Sequence, residues 1–390
     1  LGGAEANILA SATGLQKLGH SVGILHGPST RNQEASWLET FLLRYPLGEP
    51  ADSAHVRQVV DAYQPDIIYV HKMRDVKVLR ALAASGRPVI RMVHDHDLYC
   101  MRSYKYNYFT RRICERRASL FCVVPCAAFV TRNPGGRAPF KWVSYTAKRS
   151  ELRWNKHFQR LFVATQYMKD QLLQNGFPAD RIEIHPPVPD GLGPDRISAF
   201  GERNRIVFAG QLIRGKGVDL LLEALARVQA PFECHVFGEG NHRSFCEQRC
   251  RELGLADCVR FQGHVSRDVI GQCYTDASVA VVSSVWPEPF GAVGLEAMQY
   301  GVPVVAFDAG GIKEWLINGY NGYLVPWRDT AAFAQRVEQL LRDKSLGRRL
   351  GQNGRKLVTD GYSFSNYIGG LEDLFQRVSG QAPRPMAMSC

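Results

Sequence analysis

The sequence predicts an α/β protein of two domains, each a parallel sheet flanked by helices. Three observations carry this. The length of 390 residues matches two domains of about 100–200 residues each. Short apolar runs alternate with helical patterns along almost the whole chain, which is the grammar of βαβ units. The stretch Pro186-Pro187-Val188-Pro189-Asp190-Gly191-Leu192-Gly193-Pro194 interrupts that alternation near the middle, and clustered proline and glycine mark a domain boundary. Two such domains on a stiff linker leave a cleft. In open parallel sheets ligands bind outside the carboxyl ends of the strands, so chemistry is expected there.

In order, Glu5–Leu18 reads as an amphipathic helix and Ser21–His26 as a strand. Ala54–Ala62 reads as a helix, Asp66–His71 as a strand, Val76–Ala84 as a helix and Pro88–His94 as a strand. Residues 95–154 break the rhythm and are read as an irregular, basic and aromatic insert. Alternation resumes with Leu161–Thr165, a helix to Gln174, and Arg181–His185. Beyond the linker the strands are Arg205–Ala209, Glu233–Phe237, Val259–Gln262, Val279–Ser283, Val302–Phe307 and Gly322–Val325. Helices lie between them, and the last two span Thr330–Arg342 and Ser363–Val378. The chain opens at Leu1 and drops directly into Gly2-Gly3-Ala4-Glu5, so the first strand of the first domain is expected to lie upstream.

Composition excludes several classes. Apolar residues are 45% and charged residues 22%, a globular balance that argues against disorder. No apolar run is long enough for a transmembrane helix. Ten cysteines without a secretory segment point to a reducing compartment. The net charge of +11 is concentrated in one region: residues 101–150 hold 11 basic residues and one acidic residue, Glu115. Such a patch suits a phosphorylated substrate, an anionic membrane surface or nucleic acid.

The strongest constellation follows the strand ending near Ser283. It reads Trp286-Pro287-Glu288-Pro289-Phe290-Gly291-Ala292-Val293-Gly294-Leu295-Glu296. Glu288 sits in a proline-flanked loop and Glu296 inside the next helix. A helix starting after Phe290-Gly291 turns free backbone N–H groups and a positive dipole end outward, as a phosphate requires. This segment, with Gly301-Val302-Pro303 after it, resembles the E-x7-E signature of group 1 glycosyltransferases, glycosyltransferase family 4. Gly310-Gly311, Gly319-Tyr320-Asn321-Gly322, Phe237-Gly238-Glu239-Gly240 and Phe208-Ala209-Gly210-Gln211-Leu212-Ile213-Arg214-Gly215-Lys216-Gly217 resemble further family segments, as does Gly2-Gly3 at the start.

The resemblance implies a GT-B fold: two Rossmann-like domains facing a central cleft. It places residues 1–188 on the acceptor side, a linker at 189–203, the donor domain at 204–362 and a helix at 363–380 crossing back. It implies a retaining, metal-independent transferase needing no cofactor, with a UDP- or GDP-type nucleotide-diphospho-sugar as donor and a glycan or lipid-linked acceptor of cell-envelope or exopolysaccharide synthesis. Glu288 would contact the transferred sugar and Glu296 the ribose hydroxyls. Lys216 would neutralise the diphosphate. Phe290, Gly291, Gly2, Gly3, Gly210, Gly238 and Glu239 would line the donor. His94, which ends the strand before Asp95-His96-Asp97, would reach the donor sugar. The expected location is cytoplasmic, peripheral on the inner face of the membrane.

One position departs from the family, which commonly has Arg where this chain has Gln211; Arg214 is the candidate substitute. The same stretch mimics a P-loop, but Gly217 replaces the Ser or Thr that would hold Mg²⁺. Cys100, Cys114, Cys122 and Cys126 could supply a structural zinc with four thiolates, although their spacing fits scattered thiols better. Arg111, Arg112, Arg116 and Arg117 fit an acceptor-side or membrane surface better than nucleic acid, because no nucleic-acid module accompanies them. A nucleotide-sugar-binding protein without transfer activity and a GT-B epimerase are the alternatives.

Overall fold

The computed structural model describes residues 3–27, 34–48, 51–107, 110–124, 126–132, 140–188 and 196–380. It divides into two compact units. One comprises Leu1–Tyr104, Glu115–Asp190 and Phe364–Cys390; the other comprises Lys105–Cys114 and Gly191–Ser363. The segment Lys105–Cys114, in which Tyr106 bridges Ile113 in antiparallel fashion, therefore groups with the second unit, not with the first as the sequence division had it.

The first unit runs α1 (Gly3–Lys17), β1 (Gly23–His26), α2 (Glu34–Thr40), β2 (Leu43–Pro46), α3 (Ser53–Tyr63), β3 (Ile68–His71), α4 (Val76–Ala83) and β4 (Val89–Val93). It continues with β5 (Val130–Arg132), β6 (Phe140–Trp142), α5 (Tyr145–Asn155), β7 (Arg160–Val163), α6 (Gln166–Gln174) and β8 (Ile182–Ile184). Four strands form a parallel sheet in the order β3-β4-β7-β8, and β1 pairs in parallel with β2. β4 is buried along its whole length, as expected of a strand covered on both faces. Its Arg91 is tolerated there because Nη1 donates to Met73 O and to Asn155 Oδ1, both at 2.8 Å. Asp52, Asp75, Ser144 and Thr165 cap the helices that follow them. The final helix, Phe364–Ser379, packs in this unit: Tyr367 Oη meets Asn7 Nδ2 at 2.9 Å and Ser11 Oγ at 3.0 Å, and His185 stacks on its ring.

The region read as irregular contains regular structure after all. β5 and β6 form an antiparallel ribbon, and α5 fills the segment up to Asn155. α2 and β2 were also missed; both are short, and Leu43 and Pro46 are exposed, so no apolar run announces them.

The second unit runs β9 (Arg205–Ala209), α7 (Val218–Leu225), β10 (Glu233–Phe237), α8 (Arg243–Glu252), β11 (Val259–Gly263), α9 (Arg267–Tyr274), β12 (Ala277–Val282), α10 (Ala292–Gln299), β13 (Val304–Phe307), β14 (Gly322–Val325), α11 (Thr330–Arg342) and α12 (Lys344–Gly361). Its six strands are all parallel, in the order β11-β10-β9-β12-β13-β14. Leu221, Cys234, Cys246, Cys250, Val279, Val305, Phe307 and Phe333 are among the buried residues of its core. Cys246 and Cys250 thus pack as small apolar groups, one helical turn apart. Helix α12 went unread because Gly347, Gly351 and Gly354 weaken a helical pattern by about 1 kcal/mol each. The structure needs them: a Cβ at Gly351 would lie 1.7 Å from Gly301 O, and one at Gly354 2.9 Å from Met298 Cγ.

Candidate functional site

The site of the second unit grows from two loops at the carboxyl ends of β9 and β12. After β9 the chain makes a single turn, Arg214–Lys216, that ends at Gly217 in the left-handed conformation, φ 64°. A Cβ at Gly217 would sit 2.2 Å from Ser283 O, so only glycine lets the two loops touch. Ser283 Oγ donates to Lys216 O at 2.9 Å, and Val285 N and Trp286 N donate to Gly215 O at 2.8 and 3.1 Å. The loops are thereby locked, and Lys216 is brought to Glu288.

Lys216 Nζ donates to Glu288 Oε1 at 2.6 Å, and Trp286 Nε1 donates to the same oxygen at 2.9 Å. Ser284 Oγ is the third donor. Glu288 is 4% exposed. Burial pushes its carboxyl up, but Lys216 and the two neutral donors outweigh it and hold it below the usual range. The residue is therefore a buried carboxylate at neutral pH. Its backbone is fixed as well: Glu288 N donates to Ala309 O at 3.1 Å, and Gly311 N to Glu288 O at 2.7 Å. Gly310, φ 70°, allows this, since its Cβ would lie 2.6 Å from Glu288 O. The Gly310-Gly311 turn thus supports the glutamate.

Phe290 and Gly291 lie next to this pair, at the start of α10. Gly291 is the left-handed N-cap, φ 80°, with no side-chain cap. Trp315 Nε1 donates to Phe290 O at 2.6 Å, and Gly294 leaves room for the Trp315 ring, which a Cβ would approach to 2.0 Å. Glu296 lies on α10, partly buried; Arg267 Nη2 is 3.9 Å from its Oε1. Burial raises its pKa and Arg267 opposes this. Gly238 approaches the end of β9 so closely that a Cβ would lie 1.9 Å from Gly210 O, which brings those two glycines together. Glu239 pairs with Arg243 at the exposed edge. Arg214 lines a cavity with Arg111, Asp219 and Arg328.

In the first unit His94 follows β4. Its Nε2 shares a hydrogen bond with His71 Nδ1 at 2.8 Å, and the rings stack. Burial, with help from Lys72, holds His94 down to about 3. Burial and His94 lower His71 as well. The pair is therefore neutral. Close by, Asp97 bonds to Arg74, while Lys72 pairs with Asp95. His96 is fully buried and bonded through Nδ1 to Tyr99 Oη at 2.8 Å. Gly3 opens α1; Gly2 lies outside the described residues.

Among the described residues no three His, Cys, Asp or Glu side chains come together as a metal site would require. One expectation needs correction: the four-arginine patch is reduced. Arg111 is 5% exposed and bound to Asp219, which leaves Arg112, Arg116 and Arg117 at the surface, with Arg116 over the Phe121 ring. Sequence reading missed Ser284, Trp286, Trp315 and His71. The first two lie within four residues of Glu288 and offered a local signal, but Trp315 and His71 offered none.

This locked basic–acidic pair lies at the carboxyl ends of two strands of a parallel sheet, where open α/β sheets bind their ligands. The description "Glycosyl transferases group 1" matches residues 194–357, and "Glycosyltransferase Family 4" matches residues 1–190. The chain belongs to the group 1 glycosyltransferases of family 4. It is 33% identical over 172 residues to an uncharacterised glycosyltransferase of Methanocaldococcus jannaschii, covering 44% of each chain. It is 36% identical over 153 residues to the D-inositol 3-phosphate glycosyltransferase of Geodermatophilus obscurus, covering 36% of this chain and 34% of that one. These matches thus span less than half the length of either relative. Anabaena HepE, solved in complex with UDP and glucose, superposes with a TM-score of 0.72 at 20% identity over 96% of each chain. That likeness places the fold among GT-B proteins with two Rossmann-like domains.

Proposed function

We propose that this protein is a retaining glycosyltransferase that moves a sugar from a nucleotide-diphospho-sugar to a glycan or lipid-linked acceptor. The observation that carries this reading is the Lys216–Glu288 pair, 2.6 Å apart, beside the N-terminus of α10. In this reading the free amides near Phe290 and Gly291 and the Lys216 ammonium meet the diphosphate, whose charge grows as the C1–O bond breaks. Glu288, kept ionised, accepts from the sugar hydroxyls through Oε2, to which none of its three donors goes. Glu296 accepts from the ribose hydroxyls. The acceptor oxygen attacks C1 from the face the leaving group vacates, its proton passes to the departing phosphate oxygen, and the configuration is kept. His94, neutral, would orient the sugar from the first domain.

The complex of HepE with UDP and glucose supports a uridine nucleotide as the first donor to try. The exposed Leu120, Val124 and Trp142, in the same excursion as Arg112, Arg116 and Arg117, support an acceptor met at an anionic membrane surface. No helix among the described residues is long and apolar enough to cross a membrane.

The test is incubation of the full chain with UDP-, GDP- and ADP-sugars, with and without EDTA and an acceptor lipid extract. Release of nucleoside diphosphate with the sugar on a second molecule, unaffected by EDTA, is the expected result. Binding without turnover would make the protein a nucleotide-sugar binder, and conversion of the sugar without a second molecule would make it an epimerase. Loss of activity with EDTA, restored by Mg²⁺, would overturn the metal-independent mechanism.

A further inference from the structure

The segment Lys105–Cys114 belongs to the second unit although it lies far upstream of the rest of it in the chain. Its ends are tied to each other: Tyr106 bridges Ile113, Cys114 N donates to Lys105 O at 2.7 Å, and Asn107 N donates to Arg112 O at 2.9 Å. Its Arg111 has φ 58°, a left-handed conformation that strains any residue with a Cβ. Such strain persists only where the surroundings over-determine the backbone. Here an ion pair does so: Arg111 is buried, and its Nη1 lies 2.8 Å from Oδ2 of Asp219 in the first turn of α7.

Two further contacts carry the segment to the loops that hold Lys216. The first is packing. Tyr106 is buried, and its Cε1 lies 3.4 Å from where a Cβ on Gly215 would stand; Trp286 Cγ lies 3.3 Å from the same point. Gly215 thus packs against two rings, one from the segment and one from the loop that carries Glu288. The second contact runs through the loop after β14. Arg328 Nη1 donates to Thr110 O at 3.4 Å, and the adjacent Trp327 donates through Nε1 to Val285 O at 3.0 Å. Val285 N in turn donates to Gly215 O at 2.8 Å. These contacts close a circuit: from Thr110 through Arg328, Trp327 and Val285 to Gly215, and back through Tyr106 to the segment. Gly215 immediately precedes Lys216, and Asp219, which holds Arg111, follows it by three residues. The turn that presents Lys216 is therefore gripped both before and after the lysine.

We propose that Arg111 and Tyr106 are positioning residues for Lys216, Arg111 acting through Asp219 and Tyr106 through Gly215. The inference rests on the reading of Lys216 as the cation that meets the departing diphosphate. Such a cation stabilises charge growing in the transition state only if it is already in place, and a misplacement of about 1 Å can cost roughly 10²-fold in rate. The turn itself is short and ends at a left-handed Gly217, and α7 starts without a side-chain cap. Its bonds to Ser283, Val285 and Trp286 tie it to the loop after β12. The segment adds ties to α7 and to the loop after β14, from a stretch of chain that carries none of the donor motifs. Neither positioning residue is assigned a contact with the donor.

The experiment measures kcat and donor KM of the full chain with whichever of the UDP-, GDP- and ADP-sugars supports turnover. The variants are Arg111→Gln, Arg111→Lys and Tyr106→Leu. Asp52→Ala, which removes the N-cap of α3 in the first unit, controls for lost stability alone. In Arg111→Gln and Tyr106→Leu kcat should fall about tenfold or more, with a smaller change in donor KM. Arg111→Lys keeps a cation for Asp219 and should recover part of the loss. Asp52→Ala should lower the melting temperature and leave kcat unchanged. In parallel, hydrogen exchange without substrate follows the amides of Lys216, Val285 and Trp286, each bonded within these loops. They should exchange faster in Arg111→Gln and Tyr106→Leu, but not in Asp52→Ala. A kcat equal to the parent's in either folded variant, or exchange no faster than the parent's, overturns the proposal. If Arg111→Gln does not fold, Tyr106→Leu alone decides. If no nucleotide-sugar supports turnover in the parent, the donor reading fails, and exchange still decides whether the segment fixes the turn.

Discussion

Lys216 Nζ and Glu288 Oε1 are 2.6 Å apart, although the residues are 72 positions apart in the chain. A cation from the loop after β9 and a carboxylate from the loop after β12 are thus held as one unit by Gly217, Ser283 and Gly310. Breaking a buried pair by removing one partner costs about 3–5 kcal/mol, whereas removing both is milder. Lys216→Met and Glu288→Leu should each lower the urea midpoint, and the double variant should regain part of the loss. Sugar transfer should fall about 10²–10³-fold in Lys216→Met and stay lost in the double variant. Simple additivity of the two losses in stability would show that the pair is not coupled.

Glu296 should govern nucleotide affinity. A hydrogen bond to a charged group contributes about 1.5–3 kcal/mol, so Glu296→Ala should weaken binding of the nucleoside diphosphate roughly 10- to 150-fold. Calorimetry with UDP checks this. Unchanged affinity would remove Glu296 from the ribose site.

The first unit should lose stability on mild acidification. Burial holds His94 down to about 3 and His185 down to about 4, and lowers His71 as well. An unfolded histidine titrates near 6.5. As the pH drops from about 6.5 towards these values the unfolded chain takes up protons that the folded chain refuses, so stability declines through that window and is fully present above it. Urea midpoints measured from pH 7.5 to 5 should fall, and His94→Gln with His185→Gln should flatten the slope. A slope unchanged by the double substitution would contradict the assignment.

Two glycines with similar φ should respond differently to alanine. At Gly310, φ 70°, a Cβ meets Glu288 backbone atoms at 2.6 and 2.7 Å; at Gly86, φ 72°, it meets nothing within 4 Å. Gly86→Ala should cost only the left-handed strain, about 1–2 kcal/mol, with activity intact. Gly310→Ala should cost more and reduce turnover, because Glu288 must shift. Equal effects on turnover would mean that the turn does not position the glutamate.

Replacing Arg112, Arg116 and Arg117 by Gln should weaken binding to anionic vesicles, since each basic residue near such a surface contributes about 1 kcal/mol. Salt dependence should flatten, and UDP affinity should stay the same. Vesicle sedimentation at two salt concentrations reads both effects, and retention of full vesicle binding would reduce the patch to ordinary surface.

Legibility in the sequence followed the range of the interactions. The six strands of the second unit are four to six residues long; β9, β12, β13 and β14 are largely apolar runs, β10 and β11 alternate apolar with polar residues, and each is visible without its neighbours. Glu288 and Lys216 were recognisable from local motifs. What escaped depended on distant contacts. Gly351 looks like a helix breaker until Gly301 O is seen where its Cβ would be. His71 is an ordinary strand end until it meets His94, 23 residues on. Arg111 reads as one of a cluster of surface arginines, and only the fold reveals that it turns inward to Asp219.

The segment that carries Arg111 also decides how the gene can be cut. Because Lys105–Cys114 is counted with Gly191–Ser363, severing the chain at the proline-rich linker does not yield a self-sufficient half. A fragment beginning after the linker would keep Asp219 on α7 but lose the guanidinium that neutralises it, together with one wall of the cavity. Such a fragment needs residues 105–114 supplied as a separate peptide, or grafted on through a new loop, before its fold is a fair stand-in for the parent's.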